Sequence, residues 1–569
     1  MTAVQTPFSS LPPRALQPLP EPAPLSPALQ KWDDTLDWLS EKLNPIVVKE
    51  ARQALKSRQF TVTFGLLLVF GACWTALGVS LQMPAIFHSP SGPFMVAGYY
   101  VILAVPLIII VPFAAFRSLA AEREDGTFDL LSIATLTARQ VVVGKLASAV
   151  LQMIVYYSAI APCIAFTYLL RGLDIITIGL MLAYLFLAST LLSALGLVLA
   201  TVTKERHWQV LLSVVLVAGL VGAFWMWLAG MTGLFEIFLN SSPFDQIHFW
   251  MGNVALVMFH VSLMALFVQV AAAQISFATD NRSTPIRWVL CAQHALMFGW
   301  ILYGMSAEDG ANEPFFVLGC TSALIYWWVV GSFLIGEWAE LSPRIRRQLP
   351  QTFLGRMLLT WFNPGSGTGY VFTLANLGVI LMAFYACSMM VEWTIGTGRG
   401  GPMNFLADDQ MALFATAAWL FAAAYLGVGR LMVMLVRNRV PSGVVFSFLL
   451  QVVLVTFGTL IPIVVQFSLF NFRDIDYSAL QATNPFWTLA QILFNSSGGF
   501  TTADTSTSFL LLAIFGGAMA VLHFVLITRE IDQTRLLAPQ RVQEEDAAIL
   551  AARTPVRKKN PWDEPASRP

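Results

Sequence analysis

Charge is what this chain has least of. Of its 569 residues, 33 are Lys or Arg and 33 are Asp or Glu, together 12%, against about 25% in an ordinary globular domain. The formal net charge is zero, so bulk charge says nothing about nucleic-acid or acidic partners and the distribution of charge is what informs; no nucleic-acid partner is expected. Cysteine is scarce as well. Cys73, Cys163, Cys291, Cys320 and Cys387 each fall inside an apolar run and show no metal-type spacing. That pattern excludes a disulfide framework or a zinc site and reads as small core residues. No phosphate loop is present: Gly144-Lys145 lacks both the upstream glycine and the following Ser or Thr. Nor does a basic start lead into a short apolar segment. Residues 1–30 carry eight prolines and almost no charge, which reads as a disordered or polyproline-like tail and not as a signal peptide.

What the chain has is apolar length. Hydrophobic residues make up 57%, much of it in runs of about twenty or more, the length that crosses a bilayer as helix. The expected fold is therefore an all-α polytopic membrane protein with about twelve transmembrane helices. Their expected positions are near 60–81, 94–116, 146–170, 175–202, 208–230, 250–276, 288–305, 314–337, 371–393, 410–435, 444–470 and 507–527. Charge distribution tests this count independently of hydropathy. With the N-terminus inside, the exterior loops receive only Arg171, Arg399 and Arg473 of the 33 Lys and Arg. One missed or invented span would scramble that segregation, so both termini are expected in the cytoplasm.

The organisation that follows is a Pro-rich tail over 1–31, amphipathic helices over 32–59, a first six-span unit over 60–276, a second over 277–527 and a charged tail over 528–569. Each unit has two spans, a charged interior loop, three spans, an exterior apolar-aromatic stretch and a last span. The exterior stretches echo each other as Ser242-Pro243-Phe244 and Asn484-Pro485-Phe486, a weak sign of a six-plus-six repeat. Ser189-x-x-x-Ser193 and Ala218-x-x-x-Gly222 are spaced for close helix contact, within one chain or across a dimer.

Intramembrane charge is also nearly absent. Glu337, Glu392, Lys145 and Arg430 lie at or near expected span ends, and His260, His294 and His523 read as hydrogen-bonded packing residues. An ion-coupled secondary transporter needs carboxylates, histidines or cations in mid-membrane to bind its driving ion. A polytopic membrane enzyme, such as one catalysing lipid-linked glycosyl transfer, needs exterior acidic residues. The first exterior loop, Gln82 to Pro93, contains none, and the exterior pair Asp408-Asp409 reads as a solvated span end. Both readings stand as alternatives to a chain that borrows its energy from another subunit.

Two cytoplasmic stretches are richer than a connection requires. The loop after the second span runs Glu122-Arg123-Glu124-Asp125-Gly126-Thr127-Phe128-Asp129-Leu130-Leu131 and continues to Gly144-Lys145. Gly126 is placed to end one helix and Thr127 to cap the next, with Phe128, Leu130, Leu131 and Ile133 as its apolar face. Thr137 and Gln140 fit a capping box that restarts the chain. Upstream, Asn44-Pro45 is a cap followed by proline at the first helical position. The helix it opens places Val47, Ala51, Ala54 and Leu55 on one face and Lys49, Arg52, Gln53 and Lys56 on the other, as in a helix lying in the headgroup plane.

These stretches resemble the ABC-2 class of ABC-transporter permeases, whose members carry an acidic-Gly-Thr-x-Glu-Leu-Leu pattern followed by Gly-Lys at the start of the third span. Asn44, Pro45, Lys49, Glu50 and Arg52 match the family's elbow helix, and the order of elements over 44–276 matches its six-span plan. Asp129 replaces the usual glutamate, and Ser132-Ile-Ala-Thr135 lacks the common proline. The resemblance implies a permease subunit of an ATP-driven exporter in a bacterial inner membrane. It has no enzymatic site and no cofactor of its own, ATP and magnesium being held by a separate ABC ATP-binding subunit. Glu122 to Leu131 would be the coupling helix, with Phe128, Leu130 and Leu131 as its buried knob and Glu122, Arg123, Glu124 and Asp125 as rim charges. Pro106, Pro112 and Pro162 would hinge the spans it moves. The functional unit would be a homodimer, a pair with a related permease, or a single-chain pseudo-dimer in contact with membrane lipid. In the second half, 336–350 occupies the matching position without the Gly-Thr signature: a second docking loop or a basic lipid anchor. The bland alternative for 122–131 is a solvated interfacial helix without a partner.

Overall fold

The computed structural model describes residues 45–124, 137–202, 206–241, 243–276, 281–307, 312–339, 360–395, 408–440, 443–469, 476–494, 503–533 and 539–553, together with 346, 349–350, 352 and 354–356. Among these the regular structure is helical throughout, and twelve helices are long and apolar enough to cross a membrane. The chain is an all-α, multi-pass membrane protein.

The elbow is α1, Pro45–Leu55, and α2, Arg58–Gln82, is the first span. The second span is α3, Gly92–Val105, and α4, Val111–Glu124, joined through a π-helical turn at Pro106–Ile110. Next come α5 (Ala138–Leu169), α6 (Ile175–Val202), α7 (Arg206–Ser241) and α8 (Ile247–Ile275). The second half contains α9 (Ser283–Ala307), α10 (Asn312–Leu334), α11 (Ser366–Ile395), α12 (Asp408–Arg437) and α13 (Val444–Leu469). A short exterior helix, α14 (Pro485–Phe494), precedes the last span, α15 (Ala503–Gln533), and α16 (Gln540–Arg553) follows it.

Both halves are built on one scheme. In the first, α3/α4, α5 and α6 pack pairwise as an inner triangle. The outer helices cover its edges: α2 lies against α3 and α5, α7 against α3/α4 and α6, and α8 against α5 and α6. In the second, α10, α11 and α12 form the triangle, with α9 against α10 and α11, α13 against α10 and α12, and α15 against α11 and α12. Six spans return the chain to its starting side, so the halves are parallel repeats of one packing pattern. Each has its own buried cluster, one around Tyr99, Leu107, Met153 and Leu197 and one around Phe316, Trp327, Leu377 and Leu426.

The halves meet along α8 and α9, the sixth helix of one and the first of the other. Equivalent surfaces do not face each other, so the contact is head-to-tail and not the self-complementary contact of a two-fold pair. Outer helices keep large apolar side chains exposed, such as Val62, Trp225, Val261, Val464 and Val521, as a lipid-facing surface requires.

Close approach of the second and fourth spans follows from three residues. Pro106 lacks an N–H, and the π turn loosens the local ladder. Ser189 on α6 donates to the Leu107 carbonyl at 2.5 Å. Gly196 lies so near α4 that a Cβ would stand 2.8 Å from the Pro112 carbonyl oxygen. Ser189 and Ser193 are thus consumed inside the chain. Ala218 and Gly222 are not: they face outward on α7, whose Leu216 and Leu220 turn inward instead, so of the two expected possibilities this pair does not make a contact within the chain among the described residues.

Candidate functional site

Local sequence sets up the first-half site. Proline opens α1 at its first position, and Thr137 caps α5 with the full reciprocal box: Gln140 N–H donates to Thr137 Oγ1 at 3.3 Å and Thr137 N–H donates to Gln140 Oε1 at 2.9 Å. The cap fixes the register of α5, which puts Lys145 two turns in, facing α1 and α4.

Lys145 is the centre of the arrangement. Its side chain is 1% exposed; its ammonium donates to Glu50 Oε1 and to the Ser118 carbonyl, each at 3.2 Å, and forms an ion pair with Glu122 Oε2 at 3.0 Å. A buried ammonium is tolerated only when so satisfied. One cation between two carboxylates leaves a local excess of negative charge. Lys49, 60% exposed, offsets it from the rim, 3.6 Å from Glu122 and 3.9 Å from Glu50. The elbow, the end of the second span and the start of the third are thereby pinned to one another. Lys49, Glu50, Glu122 and Lys145, which lie in separate stretches of sequence, meet here, beside Gly144, which is itself buried.

Glu122, Arg123 and Glu124 are the last turn of α4 and not the start of a separate helix. Glu122 turns inward to Lys145. Asp125, Gly126, Thr127, Phe128, Asp129, Leu130 and Leu131 lie outside the described residues, as does Asn44. On α1 the expected polar residues Lys49, Arg52 and Gln53 are exposed, as is Lys56 just past its end, and the expected apolar residues Val47, Ala51, Ala54 and Leu55 are half-buried; the fully buried positions are Ile46 and the acid Glu50.

The second half handles its charges differently, with cations near span ends turned into the packing. Arg287 and Arg430 are fully buried. Arg287 pairs with Glu337 at 2.6 Å and also donates to the Trp361 carbonyl. Ser283 Oγ donates to the same carboxylate at 2.8 Å, and Gly365 N–H reaches it at 3.4 Å. Arg430 pairs with Glu530 at 2.5 Å and donates to His523 Nδ1 at 2.8 Å, while His523 Nε2–H donates to the Gly427 carbonyl at 2.9 Å. Both imidazole nitrogens are thereby committed, and a proton on Nδ1 would face a guanidinium. Gly367 makes room for this pair, since a Cβ there would stand 2.3 Å from Glu530 Oε2. Arg437 closes the end of α10 by donating to the Gly336 and Glu337 carbonyls, with its guanidinium 4.5 Å from the centre of the Trp338 ring.

His260 and His294 are also partnered inside the bundle. His260 lies 3.2 Å from Thr190 Oγ1, and His294 Nδ1 accepts from Trp327 Nε1 at 2.7 Å. On the opposite side, Gln466, Gln481 and Asn484 form a chain of buried amide hydrogen bonds that holds the exterior segment before α14. Sequence reasoning missed Arg287 and this amide chain, because single polar residues in apolar runs carry no periodic signal. No family model, curated protein or solved structure matches the chain.

Proposed function

We propose that this membrane protein is the transmembrane permease subunit of an ATP-driven exporter, moved by a separate ATP-binding subunit through the cytoplasmic segment 122–145. The observation that supports this reading most directly is the Lys145 clasp. It fastens α1, α4 and α5 together at the ends of the loop, so a push on 125–136 cannot be absorbed by sliding one helix past another. The force would pass to the second and third spans as a lever, and the π turn at Pro106–Ile110 supplies the place where the second span bends. The proposed setting is a bacterial inner membrane, with ATP and magnesium on the partner.

The test is co-purification from native membranes, with the partner detected by photo-labelling with an azido-ATP. Phe128→Asp is expected to abolish recovery of the labelled subunit while leaving insertion and yield unchanged. Recovery equal to wild type would remove the docking role. Uphill solute movement by the purified chain in liposomes without nucleotide would overturn the reading as a whole.

A further inference from the structure

The junction of the elbow and the first span carries positive charge for which the described residues show no ion-pair partner. Arg52 is exposed on α1, Lys56 just past its end, and Arg58 at the first residue of α2. Among the described acids nearby, Glu50 and Glu122 are turned into the Lys145 clasp. Arg58 also heads a helical stripe. Val62, Leu66 and Val69, at spacings of four, four and three, are 60%, 49% and 57% exposed and share its face. Between them Gly65 opens a notch, since a Cβ there would meet nothing within 4 Å. Cations at the end of a span, continuous with an apolar notched face, match a molecule that is anionic at one end and hydrocarbon along its length.

We infer that Arg52, Lys56 and Arg58 hold the headgroup of an anionic phospholipid whose acyl chain lies along Val62, Leu66 and Val69. The inference does not depend on the permease reading. It requires only that α2 crosses the membrane. A bound lipid would also tie α1 to the bilayer, so lipid charge would bear on how firmly the clasp is seated. The occupant is taken to be lipid and not an acidic protein segment, because the apolar half of the surface is continuous with the cations and faces the hydrocarbon.

The experiment reconstitutes the full-length chain in nanodiscs of phosphatidylcholine with one-quarter phosphatidylglycerol and counts retained lipids by native mass spectrometry after mild delipidation. Wild type is expected to retain phosphatidylglycerol selectively and to lose it as salt is raised. The combined variant Arg52→Gln, Lys56→Gln, Arg58→Gln should hold it about a hundredfold more weakly, since each surface cation contributes roughly fivefold to binding an anionic membrane. Arg541→Gln, on the exposed tail helix α16, should change nothing, and both variants should keep the wild-type melting temperature. Equal retention of the two lipids, or equal loss in the Arg541 variant, would overturn the site. So would substitution by inorganic phosphate with no loss of the lipid. If Glu544→Lys with Glu545→Lys, and not lipid composition, changes chemical labelling of Lys56, the occupant is the chain's own tail and the inference is wrong.

Discussion

The two halves share a packing scheme and differ in how they hold charge. In the first, one lysine sits between two carboxylates from two other helices, with a second lysine at the water-facing rim. In the second, two buried arginines each sit on one carboxylate, Arg287 also donating to a backbone carbonyl and Arg430 to a histidine. Glu122 and Glu337 stand at equivalent places, the ends of the second span of each half. A lysine is a single point of charge on a flexible stem that can exchange acceptors, whereas an arginine fork fixes orientation. The first half is therefore joined by a point charge shared between two acids, and the second by oriented arginine forks.

The largest expected effect tests that contrast at the two matched carboxylates. Glu337→Gln leaves Arg287 buried with no carboxylate and should cost about 3–5 kcal/mol, the usual penalty for breaking a buried pair from one side. Glu122→Gln leaves Lys145 its second carboxylate, Glu50, and should cost about 1–2 kcal/mol, less than breaking a buried pair that has no other carboxylate. Unfolding titrations in mixed micelles would rank them. Equal losses would break the claimed difference between the halves.

A second measurement asks whether the first-half clasp acts as a unit. Lys145→Met leaves Glu50 and Glu122 facing each other without their cation and should cost about 3 kcal/mol. Adding Glu50→Gln to it should recover part of that loss, because the repulsion it relieves exists only once Lys145 is gone. The double-mutant cycle reports the coupling directly. Additive losses would mean three separate contacts and no clasp.

Below these comes a test of helix approach. Gly196→Val pushes a branched side chain against the Pro112 carbonyl, and overpacking of this kind costs about 1–3 kcal/mol. The strain would fall on the joint between the second and fourth spans, away from every charge. A change in the accessibility of Lys145 in this variant would show that the π turn and the clasp move together.

Much of this architecture could be read from local pattern, and the reasons are physical. Spans announce themselves by length, and the starts of α1 and α5 by cap chemistry confined to four residues, which is why Pro45 and the Thr137–Gln140 box stand where the sequence puts them. The clasp was half legible. Glu50, Glu122 and Lys145 attract attention one by one, yet nothing local says that residues 95 positions apart share a hydrogen bond. Arg287–Glu337, 50 apart, and Arg430–Glu530, 100 apart, were not legible at all. A charged residue near a span end reads as solvated by default, and only packing reveals it as buried.

The smallest expected effect sharpens the comparison where the third span of each half begins. In the first half, α5 starts on a side-chain cap of its own, Thr137 with Gln140. In the second, the backbone just ahead of α11 is held by Glu337, which accepts from Gly365 N–H. Thr137→Ala removes one acceptor and should cost about 1 kcal/mol, the ordinary worth of an N-cap. The loss should stay local, because the cap is exposed and Lys145 holds α5 two turns further in. Amide hydrogen exchange should speed up over the first turn of α5 and leave 145–169 unchanged. Were protection lost along the whole helix, the cap and not the clasp would be what anchors the third span, and the first half would be the weaker of the two at its base.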